Sequence, residues 1–223
     1  NGVVYLDMAL EVSDLEEEAS ALLPLWARAV CGSGLPGLPW HETASRLSLL
    51  AGGFSAALGA DTPAGGMHPA QHLIFRVKAL EENLAPALNL VASLLTEADF
   101  QDLDRLQMLL LELRNDLKSA LVPGGSYFAS LRAGGRLSAA ISREERWKGV
   151  SQLAHLRRYA GREELPGLAS ELERLRAALV GRGRFLLNLT CDAECARRAR
   201  PALEAFRARL SGSATPAPAS RGP

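Results

Sequence analysis

Apolar and polar residues alternate with a period of two in three stretches of the chain, a pattern that predicts half-buried β-strands. These stretches run from Val4 to Val12, from Gln71 to Leu80 and from Phe185 to Leu189. A shorter strand is predicted from Phe54 to Leu58. Turn-forming residues at 61–66 separate it from the Gln71–Leu80 stretch. We therefore predict an antiparallel hairpin from these two strands.

Most of the remaining chain has the 3.6-residue apolar period of helices that pack on a core. The predicted helices are Leu22–Val30 with a fresh start at Pro24, Trp40–Leu50, a helix from about Pro86 to Thr96, Phe100–Leu121, Ser126–Leu137, Arg143–Tyr159, a helix carrying Leu168 to Leu179, and one ending near Leu210.

Polar and glycine residues predict where several of these helices begin and end. Ser13 and Asp14 are expected to cap a helix whose first turn is acidic. Ser142 with Glu145 has the spacing of a capping box, and Asp192 precedes the last helix. The pair Gly52–Gly53 is expected to end the helix before the Phe54 strand.

The element order is strand, two helices, hairpin, several long helices, strand and helix. This order predicts an α+β fold with a mixed, largely antiparallel sheet and helices packed on one face. The last strand is distant in sequence, so it must return to the same sheet. We assign residues 1–210 to one domain, and residues 211–223, rich in Pro, Ala and Ser, to a linker.

Composition narrows the classes of function. The 223 residues are 48% hydrophobic, which is enough for a large core, and the formal net charge is zero. A neutral domain lacks the basic footprint of a nucleic-acid-binding protein. The three cysteines are too few for a disulfide framework and favour a reducing compartment. No apolar run reaches the length of a membrane span, roughly 18 residues.

Histidine and cysteine offer few candidates for a site. His68 and His72 are four residues apart, but Pro69 argues against a helix there and no third ligand is near, so a turn and strand surface is favoured. His41 and His155 are interpreted as structural or surface residues. The cysteines Cys31, Cys191 and Cys195 are interpreted as small buried apolar residues, although a helix N-terminus could lower the pKa of the last two thiols.

Three other patterns have both a functional and a structural interpretation. The run Gly53–Ala57 is faintly similar to the nucleophile elbow of hydrolases, but it follows a helix and lacks His and acid partners. Asn188–Thr190 matches a glycosylation site within a strand that we expect to be buried. A basic stretch is expected to be a solvated helix face, with a docking surface as the alternative; its members are Arg132, Arg136, Arg143, Arg146, Lys148, Arg157, Arg158 and Arg162.

The element order and several segments together resemble the pitrilysin/insulinase family of zinc metallopeptidases. In order and spacing they resemble the third of four homologous domains, over residues 1 to about 210. The segments that carry the resemblance are Asn1–Tyr5, Leu22–Leu25, Gly52–Ser55, Leu121–Ser126, Tyr127–Ala133 and the helix of Trp147.

The resemblance implies that this chain has no catalytic, cofactor-binding or metal-binding residues. In the family, a His-x-x-Glu-His helix of the first domain binds zinc, and a distal Glu completes the site. The corresponding helix here, Leu22 to Val30, contains neither His nor carboxylate, and Glu112 in a later helix has no partner ligands in the sequence. The family's catalytic Arg and Tyr belong to its fourth domain, so no catalytic role is carried over.

The resemblance further implies a role for the chain within a larger enzyme. The full-length protein would be a zinc metalloendopeptidase of the mitochondrial matrix that degrades cleaved presequences and other short unstructured peptides. Its zinc would be held by another domain, and this inactive segment would form part of the chamber wall. Its partners would be the other domains and unfolded peptides. The alternative is a non-catalytic structural subunit of the same fold, like the core subunits of processing peptidase or respiratory complexes. The first residues, Asn1–Gly2, carry no Met or leader pattern, so we expect a longer protein with any targeting signal upstream.

Overall fold

A single four-stranded antiparallel sheet organises the part of the chain that the computed structural model describes, residues 2–65 and 69–212. The strand order is β2-β3-β1-β4. Their bounds are β1 Val3–Glu11, β2 Ala51–Asp61, β3 Ala70–Leu80 and β4 Phe185–Thr190. The hairpin of β2 and β3 is confirmed, and β4 returns to pair with β1 as predicted.

Helices fill the rest of the described chain and join in one core with the sheet. Three short 3-10 turns, Glu81–Asn83, Arg157–Tyr159 and Arg162–Glu164, link some of them. The α-helices are α1 Glu17–Ala21, α2 Leu23–Gly32, α3 Trp40–Leu50, α4 Leu84–Glu97, α5 Leu103–Leu121, α6 Gly125–Gly134, α7 Ala139–Lys148, α8 Val150–Leu156, α9 Leu165–Leu179 and α10 Ala193–Gly212.

The two faces of the sheet have different environments. On the helix-covered face, the alternate residues of β1 and β3 are buried, and Phe75 lies between Trp26 of α2 and Phe54 of β2, with ring centroids 5.9 and 5.7 Å away. On the other face, Tyr5, Lys78 and the neighbouring side chains are exposed or half-buried. The predicted α+β fold with helices on one face of an antiparallel sheet is therefore confirmed.

The predicted role of Gly52–Gly53 as a helix stop is wrong. Helix α3 ends at Leu50, and the two glycines lie inside β2, where the register with β3 shifts between Ala51 and Gly53. Glycine suits such a bulge because it tolerates irregular backbone. The strand is consequently longer than the predicted Phe54–Leu58.

Two of the predicted helix caps are also wrong. Ser13 does not cap α1; its hydroxyl accepts a hydrogen bond from the backbone N–H of Gln71 at 3.2 Å. Ser142 lies inside α7, which begins earlier, where the Ser138 hydroxyl accepts from the N–H of Ile141 at 3.4 Å. Both serines have partners that local spacing does not reveal.

The single helix predicted from Arg143 to Tyr159 is divided at Gly149, which has an extended backbone. The buried carboxylate of Glu145 accepts from the N–H of Ser151 at 3.2 Å, at the start of α8. At the end of the chain the predicted cap is confirmed, because the Asp192 carboxylate accepts from the N–H of Cys195 at 2.8 Å. Residues 213–223 lie outside the described part, so the boundary between domain and linker stays a prediction.

Candidate functional site

A groove runs between helix α2, the outer strand β2 and helix α5. Its volume is about 630 Å³, within the range of ligand-binding clefts. Helix α2 contributes Pro24, Ala27, Arg28 and Cys31, which share one helix face because they are spaced by three and four residues. The other lining side chains are largely apolar and include Phe54, Ala56 and Leu58 of β2, Leu109, Leu113 and Leu117 of α5, and Trp147 of α7.

The sequence of α2 explains how this helix forms one wall. Pro24 lies in its first turn, where a missing N–H costs nothing. Trp26 and Val30 on the opposite face are completely buried in the core. At the C-terminal end, a Cβ on Gly32 would lie 2.8 Å from Cδ2 of Leu109, so glycine permits α5 to approach closely.

Charged side chains join α2 and α5 along the groove. The Arg28 guanidinium contacts the carboxylate of Asp116 and lies 3.5 Å from that of Glu112. The Arg105 Nε–H donates to the carbonyl of Gly32 at 2.8 Å, and its guanidinium stacks 4.0 Å from the ring centroid of Trp40. Arg105 also lies 3.6 Å from Glu112. The sequence interpretation missed this network, although a lone Arg in α2 facing acids four residues apart in α5 was a usable signal.

The side chains of the groove do not fit a zinc site of the His-x-x-Glu-His kind. Helix α2 contains no His, Asp or Glu, and its one possible ligand is Cys31. Burial raises the pKa of the Cys31 thiol to about 12, so this residue stays protonated near neutral pH. Within residues 2–65 and 69–212, no group of three or more His, Cys, Asp or Glu side chains could hold a metal ion. The groove therefore offers apolar surface and hydrogen bonds rather than metal-assisted hydrolysis.

The histidines are dispersed in the fold. His72 lies on the open face of β3, whereas His68 lies outside the described residues, so their proposed pairing is not addressed. His41 is exposed and packs edge-on against the neighbouring Trp40 at 5.8 Å between ring centroids. Burial, and to a lesser degree Arg158, lowers the pKa of His155 in α8.

Cys191 and Cys195 lie at the start of α10. The side chain of Cys195 is completely buried, as predicted, whereas Cys191 is half-buried. Burial raises the pKa of Cys195 to about 11, with a further contribution from the hydrogen bond to Cys191. The helix N-terminus therefore does not make Cys195 a reactive thiolate.

The remaining sequence patterns take structural positions. Gly53–Ala57 lies within β2 and not at a strand-to-helix turn, so it is not a nucleophile elbow. The expected burial of Asn188 is wrong, because its side chain is exposed on the open face of β4. The basic stretch is largely ion-paired with acidic neighbours, including Arg132 with Glu145, Arg146 with Glu17, Lys148 with Glu144, Arg158 with Glu18 and Arg162 with Asp104. No helix in the described ranges has both the length and the apolar character to span a membrane.

Solved structures share this fold at low sequence identity. A peptidase M16 inactive domain from Pseudomonas fluorescens superposes with a TM-score of 0.58 and 17% identity, over 98% of this chain and 47% of that one. A conserved protein from Enterococcus faecalis V583 gives a TM-score of 0.60 and 15% identity, over 89% of this chain and 46% of that one.

Curated relatives are similar over most of the chain but are far longer. Presequence protease 1, chloroplastic/mitochondrial, from Arabidopsis thaliana is 25% identical over 86% of this chain. Mitochondrial presequence proteases from Xenopus tropicalis and Mus musculus are 25% and 24% identical over 79% and 90% of it. The matches span 18%, 17% and 19% of these relatives. The model of the family associated with peptidase M16, subfamily C, matches residues 1–158, so the chain belongs to this peptidase-associated family.

Proposed function

We propose that this chain is a non-catalytic domain of a zinc metalloendopeptidase that degrades cleaved presequences and other short unstructured peptides. The observation that carries the proposal is the face that α2 presents to the groove, where Pro24, Ala27, Arg28 and Cys31 stand. None of these residues is a histidine or a carboxylate, so the zinc is held by another domain of the same polypeptide. The names of the relatives support the substrate class, and their mitochondrial location supports the mitochondrial matrix.

The open face of the sheet supports a role as a wall of a substrate chamber. Exposed Tyr5 and Leu186 lie on this face beside charged residues, and the face has no covering helix among the described residues. The Asp7 carboxylate lies 3.3 Å from Nε of Arg76 there, so part of the charge is locally paired. A mixed, uncovered face of this kind suits a surface that borders an enclosed volume and contacts unfolded peptides.

The first test uses the purified 223-residue chain. We expect substoichiometric zinc by elemental analysis and no cleavage of a presequence peptide. Stoichiometric zinc, or cleavage that a chelator abolishes, would overturn the non-catalytic assignment.

The second test places single cysteines in a cysteine-free version of the full-length polypeptide. Asn188→Cys on the open sheet face should react with a small maleimide but not with a maleimide coupled to a polymer too large to enter a closed chamber. Arg207→Cys on the exposed side of α10 is the matched control and should react with both. Equal reaction of both positions with the large reagent would contradict the chamber-wall role.

The solved inactive domain from Pseudomonas fluorescens favours a second candidate, a structural subunit without a catalytic partner domain. The encoding gene separates the two candidates. A His-x-x-Glu-His segment upstream of Asn1 in the same reading frame favours the enzyme domain, and an upstream homologous domain lacking that motif favours the structural subunit.

A further inference from the structure

Strand β2 has an unpaired edge that faces the groove. It is an outer strand of the sheet and pairs with β3 on one side. The N–H of Ala60 donates to the Glu144 carboxylate at 3.1 Å and therefore points away from β3. Backbone groups alternate in direction along a strand, and the register with β3 is regular from Gly53 to Asp61. The N–H and C=O groups of Phe54, Ala56 and Leu58 consequently point away from β3 as well.

These three residues line the groove, so their backbone groups are available to a chain that enters it. Alternate residues of a strand are about 6.6–6.8 Å apart, which is the spacing that another extended chain matches. Within residues 2–65 and 69–212, Glu144 is the acceptor found on this side of β2. An extended peptide would therefore satisfy backbone groups that the domain leaves without a protein partner.

The side-chain directions assign the floor of the groove a role. Phe54, Ala56 and Leu58 project toward the helix-covered face of the sheet, because they pair with buried residues of β3. Peptide residues directly opposite would project to the same side. There they would contact Leu113 and Leu117 of α5, which are only partly buried in the domain itself. The floor therefore suits apolar side chains at alternate peptide positions.

The charged rim indicates the sign of charge that the peptide carries. The carboxylate side chains of Glu112 and Asp116 are 47% and 63% exposed, whereas those of Arg28 and Arg105 are 29% and 10% exposed. The two arginines lie beneath the acids, so the α5 rim presents mainly negative charge to an incoming chain. A basic side chain beside Glu112 and Asp116 would complement this rim.

Both ends of the free edge are limited by the fold. Glu144 occupies the N–H of Ala60, and the bulge between Ala51 and Gly53 bends the strand at the other end. The open length between them accommodates a paired segment of about five residues. A short extended segment therefore fits this edge better than a folded domain does.

We propose that the groove edge of β2 binds an extended, unfolded peptide segment as an added strand, with apolar side chains over Leu113 and Leu117 and a basic side chain beside Glu112 and Asp116. This inference extends the proposed function by giving peptides a binding place on the non-catalytic domain. Its test measures binding to the 223-residue chain alone. A failure there leaves the zinc and chamber-wall tests unaffected, so the two outcomes are distinguishable.

The binding experiment uses a fluorescent heptapeptide in which valine or leucine alternates with lysine. The first comparison peptide carries N-methyl groups on the amides that would pair with β2, and the second carries glutamate in place of lysine. We expect the N-methylated peptide to bind at least about tenfold more weakly, because it loses more than one backbone hydrogen bond. The glutamate peptide should also bind more weakly than the lysine peptide, and Asp116→Asn should narrow that difference.

Protein variants locate the site. Ala56→Pro removes an outward N–H without removing a bond to β3, and Leu117→Glu places a charge on the groove floor. Both should weaken binding by about tenfold or more. Leu111→Glu is the matched control on an exposed position of α5 and should bind like the parent chain. Circular dichroism checks folding, and if Ala56→Pro fails to fold, Leu117→Glu and the N-methylated peptide decide the question.

Amide hydrogen exchange supplies an independent readout. We expect the peptide to slow exchange at Phe54, Ala56 and Leu58. Equal affinity for the N-methylated and parent peptides, or unchanged exchange at these amides, would overturn the proposal. Exchange that slows with rising protein concentration in the absence of peptide would also overturn it, because it would show a second copy occupying the edge.

Discussion

Arg105 is predicted to be the side chain that most strongly stabilises the contact between α2 and α5. It lies almost completely inside the protein, with its Nε–H on the carbonyl of Gly32 at the C-terminus of α2. Its guanidinium also faces the ring of Trp40. We consider Arg105→Met, which keeps the length and apolar stem of the side chain but removes its charge and hydrogen bonds.

The expected loss of stability follows from these contacts. A hydrogen bond from a charged donor contributes about 1.5–3 kcal/mol, and a cation–π contact with a half-buried ring contributes about 0.5–2 kcal/mol. Relief from burying a cation offsets part of this sum. The exposed contact with Glu112 adds little. We therefore expect Arg105→Met to lower the free energy of unfolding by about 2–3 kcal/mol.

Urea unfolding monitored by circular dichroism measures this change, provided that the slope of the transition stays constant. The matched control is Arg200→Met, because Arg200 is an exposed residue of α10 whose main contact is with Glu204 four residues on. The control should change stability by less than about 0.5 kcal/mol. A loss below about 1 kcal/mol for Arg105→Met would refute the view that this cation supports the end of α2.

Three further predictions concern other buried groups. Trp147→Phe removes the indole N–H that donates to the carbonyl and hydroxyl of Ser20 at 3.0 and 3.1 Å; we expect a loss of about 1–2 kcal/mol in urea unfolding, and an unchanged midpoint would contradict it. Because the pKa of His155 is lowered in the folded chain, the unfolded chain takes up this proton first, and stability falls as pH drops below about 6.5. His155→Gln should lessen that acid-side loss, measured by unfolding at pH 7.5 and about 5.5, and equal losses in both proteins would rule out this contribution. Cys31, whose thiol pKa is about 12, should be alkylated at pH 8 far more slowly in the folded chain than in urea, and equal rates would show that the thiol is not shielded.

The strands and the long helices could be predicted because their periodicity records burial directly. Phe75 and its alternate neighbours in β3 are buried on one face, which is what their apolar character encodes. Proline positions were equally informative, since Pro39 precedes α3 and Pro24 opens α2. In such cases, a local rule and the tertiary environment favour the same structure.

Local rules failed where a polar side chain has a partner distant in sequence. Ser13 has the composition of a helix cap, yet its hydroxyl bonds to Gln71, 58 residues later. Gly149 divides a segment of helical composition because Glu145 provides an alternative partner for the next helix. Competition between local and distant partners is not visible in a single sequence.

The groove could be predicted only in part. The absence of zinc-ligand residues from α2 was readable, because it depends on residue types alone. The ion pairs of Arg28 join residues more than 80 positions apart, and the packing of α5 on α2 brings them together. The free edge of β2 likewise depends on strand order, which alternation of side chains does not determine.

The pairing of β1 with β4 has a consequence for how the chain folds. Tyr5 pairs with Thr190, so the central strand lacks one neighbour until almost the whole domain has been synthesised. During that interval β1 presents a second unpaired edge, flanked by the apolar side chains of Leu6, Met8 and Leu10, and intermediates of this kind are prone to aggregate. A fragment ending at residue 158, where the family match stops, would keep that edge permanently. Soluble expression of the domain therefore depends on including the segment through β4.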